Sequence, residues 1–507
     1  MTLPPHAQAG VCLHLSSLPG TGGIGTLGQV ARNFVDTLVA MNQSVWQFLP
    51  TGPTAYGDSP YQPLSSFAGN EMLIDMDELV QRGLLAAGEI EALHALPVSR
   101  VDYGALIPLK RKLLALAANR FAQRAGTALQ ADYEGFVQTH NALWLHDYAM
   151  YRLLKTRHQE QAWPTWQPEF VHRETDALRR IEQRDAALLE AVKVQQFLFH
   201  HQWHTLRAYA HAHGVQLFGD MPIYIALDSA DAWANRALLQ INADGEPRCL
   251  AGVPPDYFSA DGQLWGNPLY DWDYQARTGY RWWIERLRHA ETLKDLIRID
   301  HFRGFQAYWS VPAGAATARD GHWETGPGDA VFDAIRAAIG ELPLVAEDLG
   351  LITPEVDALR HRQQLPGMRV LQFDVAGEHF DLDSISANTV CYTGTHDNDT
   401  TAGWFHGSTD DPRPTAEIKA LQQHALAHTG GQAQTFHHDL FRLAYASQAR
   451  LAVVPLQDFL GLGSEARLNT PGQTGGNWQW RVQAEQLDEA LMQGASAMTG
   501  AAGRGRR

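Results

Sequence analysis

LIRIDHFRG, from Leu296 to Gly304, carries the alternation that decides the fold. In an extended chain residues two apart share a face, so Arg298 and Asp300 lie on one side while Ile297 and Ile299 lie on the other. An apolar outer face, a charged inner face and a terminal carboxylate describe a barrel stave whose C-terminal end carries chemistry. Short β-branched or apolar runs that close on a polar residue, Gly or Pro recur along the chain. With Leu296–Phe302 they number eight: Val11–Leu15, Ser44–Pro50, Val215–Ile223, Leu344–Leu349, Met368–Phe373, Thr389–Asp397 and Leu451–Asp458 are the others.

Between several of these runs the apolar spacing turns helical, at Leu27–Met41, Trp282–His289, Ala330–Gly340, Pro354–Gln364 and Thr435–Gln448. Strands alternating with helices imply a parallel sheet, and eight of them imply one closed (β/α)8 barrel spanning 1–507. Two gaps exceed a simple βα unit. Residues 70–213 read as a mostly helical insertion after the second strand, including Asp185–His213, and 226–295 as an insertion dense in Gly, Pro, Asp, Tyr and Trp that carries a lid loop at 252–265. Gly252 and Gly262 read as its hinges. The Gly/Ala-rich segment 494–507 reads as a frayed, disordered tail. The run GTGGIGTLG at Gly20–Gly28 superficially offers a dinucleotide turn, but the next strand ends Gln47–Pro50 where an acidic residue is required.

An excess of acidic residues, 56 against 40 basic, would repel a phosphate backbone and excludes nucleic acid as a partner. No stretch reaches the roughly 18 apolar residues of a membrane span, and the N-terminus lacks a basic region followed by an apolar run. Cys12, Cys249 and Cys391 are too scattered for a disulfide framework, which places the chain in a reducing compartment, the cytoplasm. The 15 tryptophans offer flat apolar faces suited to sugar rings, although most tryptophans serve packing.

Five of the strand ends carry a carboxylate: Asp220, Asp300, Glu347, Asp397 and Asp458. Convergence of that many acids is hard to explain by packing. Arg298 beside Asp300 would hold it ionised, as a nucleophile requires, whereas Glu347 after an apolar strand would be partly desolvated and so able to donate a proton. Two carboxylates in opposed environments are the equipment of retaining glycoside chemistry. Asp397, with His396 before it, offers acceptors for sugar hydroxyls, while Asp348 points the other way and reads as structural. His200, His201, His204, His211 and His213 share a helical stretch, but no H-E-x-x-H pattern or partnering Cys accompanies them, so no metal and no cofactor is called for.

Read in their segments, these residues resemble the amylomaltase (4-α-glucanotransferase, disproportionating enzyme) family of the α-amylase superfamily. The segments include GVCLHLSSLPG, WQFLPTGPTAYGDSPYQPLSSFAGN, GDMPIYIALDSADAWA, AGVPPDYFSADGQLWGNPLYDW, IRIDHFRG, LVAEDLG, TGTHDNDTT and VPLQDFLGLGSEARLNTPGQTGGNWQWR, in order along almost the whole chain. The resemblance implies Asp300 as nucleophile, Glu347 as acid/base and Asp397 as the third carboxylate gripping the sugar in the −1 position. It implies Arg298, His396 and Asp220 as their partners, Tyr61 as the ring stacked on that sugar, and 252–265, with Tyr257, Phe258 and Trp265, as a mobile lid. Ala315 departs from the family, which often has Glu there, and this leaves the acceptor side open. The activity implied is transfer of an α-1,4-glucan segment to the 4-hydroxyl of another glucan or glucose, with maltooligosaccharides as partners. A hydrolase using the same carboxylates and an inactive glucan-binding protein are the alternatives.

Overall fold

The computed structural model describes residues 3–4, 6–55, 57–255, 260–407, 413–473 and 475–506. All eight strand signals form parallel strands: β1 (Gln8–Cys12), β2 (Val45–Gln47), β3 (Gln216–Pro222), β4 (Leu296–Asp300), β5 (Leu344–Ala346), β6 (Gly367–Val370), β7 (Thr389–Tyr392) and β8 (Leu451–Pro455). Their order in the sheet is β6-β7-β8-β1-β2-β3-β4-β5. The backbone N–H of Ala346 donates to the carbonyl of Pro366 at 2.8 Å, joining β5 to the entry of β6 and closing the barrel. This is a (β/α)8 barrel, as the alternation in LIRID implies.

The barrel interior is packed by Val45, Phe218, Leu296, Val345, Met368, Val390, Leu451 and Val453, all 4 % exposed or less. Ile297 and Ile299 face outward and join a second cluster with Trp283, Leu287 and Phe332 of the surrounding helices. Each such side chain contributes about 1.5–3 kcal/mol by burial. In-register pairing of Phe218 with Leu296 and Asp220 with Arg298 then lifts a charged layer directly above the apolar one.

Between β2 and β3 the chain runs through helices Tyr103–Arg124, Thr127–His140, His146–Arg157 and Ala186–Ala212. The last of these packs Phe197, Trp203, Leu206 and Ala210 into the core, and the indole N–H of Trp203 donates to the carbonyl of Leu293 at 3.0 Å. His200 on that helix lies among His140, Trp144 and His289, with ring centroids 5.6–5.9 Å away.

A four-stranded antiparallel sheet was not legible in the sequence. Its order is Gln263–Pro268, Cys249–Val253, Ala307–Pro312 and His322–Thr325. The two flanks of the segment read as a lid are therefore paired, Gly252 with Leu264 and Val253 with Gln263. Gly252 is a strand residue rather than a hinge: a Cβ there would come within 2.3 Å of the Gln263 carbonyl. Gly262, at φ +67°, does supply a turn.

The expected frayed tail is corrected by the structure. Glu489–Ala501 is a helix capped by Asp488, which accepts from the N–H of Leu491 at 2.8 Å. Beyond it Arg504 is 1 % exposed and donates to the carbonyls of Tyr445, Ser447 and Gln8. Composition suggested fraying, but a guanidinium has five donors, and these satisfy carbonyls at the entries of β1 and β8. Within the glycine run at 20–28, Gly25 and Gly28 serve close packing, since a Cβ would lie 1.9 Å from the Leu15 carbonyl and 2.0 Å from Asp75 Oδ2. Among the described residues no helix is long and apolar enough to cross a membrane.

Candidate active site

Asp220 sits in β3, Asp300 ends β4, Glu347 directly follows β5, and Asp397 lies in the loop after β7. Asp458, the fifth strand-end acid, does not join them. It is 1 % exposed and accepts from Thr393 Oγ1 at 2.6 Å, Thr401 N at 2.7 Å and Thr401 Oγ1 at 2.7 Å, so it ties β7 and β8 together. Asp348 is likewise structural. It accepts from the N–H of Met368 at 2.7 Å and pairs with Arg360 at 3.0 Å.

Arg298 is the cation of the site. Its Nη2 lies 2.7 Å from Asp220 Oδ2 and 2.8 Å from Asp300 Oδ1, and its Nε donates to Asp220 Oδ2 at 2.9 Å. Tyr61 donates its hydroxyl to Asp220 Oδ2 at 2.5 Å and stacks on His396 with centroids 5.0 Å apart and planes 11° from parallel. Trp478 closes the same aromatic group, 6.1 Å from Tyr61 and 6.2 Å from His396.

Glu347 is held by backbone donors on both oxygens: His301 N to Oε2 at 2.7 Å and Leu349 N to Oε1 at 2.9 Å. The first bond exists because His301 takes a left-handed conformation, φ 53°, as the chain turns out of β4. Asp397 is anchored from the opposite side. Asn469 Nδ2 donates to its Oδ1 at 2.6 Å, Arg467 donates to its carbonyl at 2.7 Å, and His396 Nε2 lies 3.4 Å from its Oδ2.

Burial pushes Asp300 well above the usual carboxylate range. Arg298 pulls the other way, while Asp220, Glu347 and Asp397 push it further up. The expectation that Arg298 beside Asp300 holds it ionised meets two opposing facts: the guanidinium is shared with Asp220, and burial outweighs its pull. Glu347 is also raised, by burial, against the pull of Arg298 and of its two backbone N–H bonds. The two acids therefore titrate as a pair rather than singly. Burial lowers His396, which is neutral near pH 7, so its contact with Asp397 is not an ion pair. Burial and Asp220 keep the Tyr61 phenol protonated.

Of the three residues expected to form a lid, Trp265 is half-buried and meets His301 edge-on, 4.8 Å between centroids. Tyr257 and Phe258 lie outside the described residues. Sequence reasoning missed His301, Arg467, Asn469 and Trp478. Their segments had been noted, but nothing in local spacing shows that the loop after β8 folds back on Asp397. Cys12, Cys249 and Cys391 are free thiols.

A protein-family model described as 4-alpha-glucanotransferase matches residues 13–487. The 4-alpha-glucanotransferase of Streptococcus pneumoniae is 43 % identical over 498 residues, covering 97 % of this chain and 96 % of its own length. That of Thermus thermophilus is 45 % identical over 487 residues, covering 93 % of this chain and 94 % of the relative. Among solved structures, the amylomaltase from Streptococcus agalactiae in complex with acarbose superposes with a TM-score of 0.93 at 35 % identity, covering 99 % of this chain and all of that one.

Proposed function

The chain belongs to the 4-alpha-glucanotransferase family, and from that premise we propose how its carboxylates transfer a glucan segment. Asp300 attacks the anomeric carbon of an α-1,4-linked donor while Glu347 gives its proton to the departing glycosidic oxygen. A β-linked ester forms on Asp300 and the shortened glucan leaves. Glu347, now ionised, takes the proton from the 4-hydroxyl of an incoming glucan or glucose, whose oxygen displaces Asp300 and restores the α-linkage. Nucleophile and proton both come from side chains, so the chemistry calls for no cofactor.

The observation that carries this reading is Arg298 gripping Asp300 at 2.8 Å while Glu347, on the adjacent stave, is fixed by two backbone N–H groups. An aimed nucleophile and an aimed acid save the entropy of orienting them in each turnover. Asp397, His396 and Tyr61 are assigned to the sugar being transferred. The first two offer polar groups for its hydroxyls and Tyr61 an aromatic face. Hydrolysis with the same acids differs only in the group that resolves the ester. Trp265 above His301 supports a covered site that favours sugar over water. Three free cysteines support a cytoplasmic setting.

Incubation with maltotriose tests the proposal. Longer oligomers together with glucose indicate transfer, whereas maltose and glucose alone would indicate hydrolysis.

A further inference from the structure

The barrel wall is bare at one stave. Met368 and Val370 of β6 point into the barrel core, so Arg369 between them points outward, where a (β/α)8 barrel normally sets an apolar residue under a helix. Here Arg369 is exposed. Among the described residues no full helix follows β6: it leads only into the single turn Leu371–Asp374 and then an irregular run, with one short 3-10 turn, to β7. The result is a groove of about 500 Å³ between the helix Pro354–Arg362 and the segment 384–386. One end of it is lined by Leu349 and Gly350, two and three residues after Glu347 in the chain.

The chemistry of its walls selects a class of ligand. Arg360 pairs with Asp348 at 3.0 Å and with Asp357 at 3.4 Å, and Arg369 pairs with Asp374 at 2.6 Å. An anion or a cation would have to displace a partner already in place, at a cost in Coulomb energy. A neutral chain of hydroxyls can instead donate to the acids and accept from the guanidiniums without separating any of these pairs. Phe373, 54 % exposed at the rim, adds a flat apolar face of the kind on which a sugar ring packs. Paired charges, hydroxyl-bearing Ser384 and Ser386, and an exposed ring together suit a neutral polyhydroxylated polymer.

We propose that this groove on the outer face of β6 binds a segment of α-glucan outside the catalytic cleft, so that long glucans engage the enzyme at two places and short ones at one. The inference rests on the glucanotransferase reading for its ligand. Two-point attachment raises the affinity of any chain long enough to span both sites and leaves shorter chains unaffected.

The test compares maltotriose with long-chain amylose as substrates of the full-length wild type, Arg369→Ala and Ser386→Trp. Both positions are exposed, so the substitutions leave the core intact, and circular dichroism verifies the fold. Loss of one or two hydrogen bonds should raise KM for amylose about five-fold in Arg369→Ala. Filling the groove in Ser386→Trp should do the same, with kcat/KM for maltotriose held within about twofold in each variant. Equal effects on both substrates, or none on amylose, would overturn the proposal. A change of oligomeric state in Ser386→Trp on size-exclusion chromatography would also overturn it, because the groove would then be an interface between copies. Absence of maltotriose disproportionation by the wild type would instead count against the glucanotransferase reading, which separates the two failures.

Discussion

The backbone N–H of His301, the residue next to Asp300, donates to Glu347 Oε2 at 2.7 Å. One turn out of β4 therefore sets both the proposed nucleophile and the proposed acid/base. A second bond in the same direction, Phe302 N to the Glu347 carbonyl at 3.1 Å, and the return bond, Glu347 N to the Ile299 carbonyl at 3.0 Å, lock the two strand ends together. Displacement of either strand end would misalign both groups at once, and small misplacements of reacting groups are costly in rate.

Asp300 and Glu347 are both raised by burial, and this fixes the pH dependence of activity. Attack needs Asp300 ionised while Glu347 still holds its proton, and because the two titrate as a pair, the upward push of burial on both moves both limbs of the profile upward. The bell-shaped profile of kcat/KM should lie above the range set by free Asp and Glu, about 3.9 and 4.3. Asp220→Asn removes a charge that pushes Asp300 up and frees Arg298 for Asp300 alone. The acid limb should then shift to lower pH even as turnover falls. An acid limb that stays in place would show that Asp220 does not tune Asp300.

The histidines of the helical insertion make stability sensitive to acid. His200 is 3 % exposed and its pKa is lowered well below normal by burial and by His289, while burial and His140 lower His289 to about 3. These groups stay neutral in the folded chain but take up protons near pH 6.5 when unfolded. Their contribution is thus complete above about 6.5 and is lost as pH falls, by up to ~1.4 kcal/mol per pH unit for each histidine. His200→Phe removes one such proton. Its unfolding free energy should fall less steeply than that of the wild type between pH 6.5 and 4.5, as urea titrations at several pH values would reveal. Parallel slopes would contradict the assignment.

Much of the fold was legible because a barrel stave repeats one local rule: apolar outside, and polar where it ends. Arg298 and Asp300 were legible because strand alternation places them on one face, and Glu347 because it closes an apolar strand. The antiparallel sheet was not, because Cys249–Val253 must pair with Ala307–Pro312 from beyond β4, and nothing near either strand announces the other. Asp458 misled because a strand-end acid looks the same in sequence whether it faces a cleft or three threonine donors. The C-terminal arginines misled because composition does not record which carbonyls await them.

The lid hairpin should govern the choice between water and sugar. Trp265, at the base of the proposed lid, packs edge-on against His301 next to Asp300, and its removal should admit water to the ester if the lid excludes it. Trp265→Ala should raise the ratio of glucose released by water to oligomer formed by transfer, read from maltotriose products. If both activities fall together at a constant ratio, the hairpin is a structural brace only.

Removing the nucleophile should be more severe than any of these changes. Asp300→Asn keeps the size of the side chain and a polar contact to Arg298, but it cannot form an ester. Turnover should drop by several orders of magnitude, on the order of 10⁴-fold or more as for other single catalytic groups. A loss below about tenfold, with the fold intact, would remove Asp300 from the reaction.

Trapping the intermediate tests the central claim most directly. Glu347→Gln should still accept an activated donor such as a glycosyl fluoride, which needs no proton to leave, yet resolve the ester slowly for want of a base. Peptide mass spectrometry of the quenched enzyme should then find one hexose-bearing carboxylate, Asp300, in the peptide containing IRIDHFRG. An adduct on Asp397, on Asp220 or on any other acid would contradict the account.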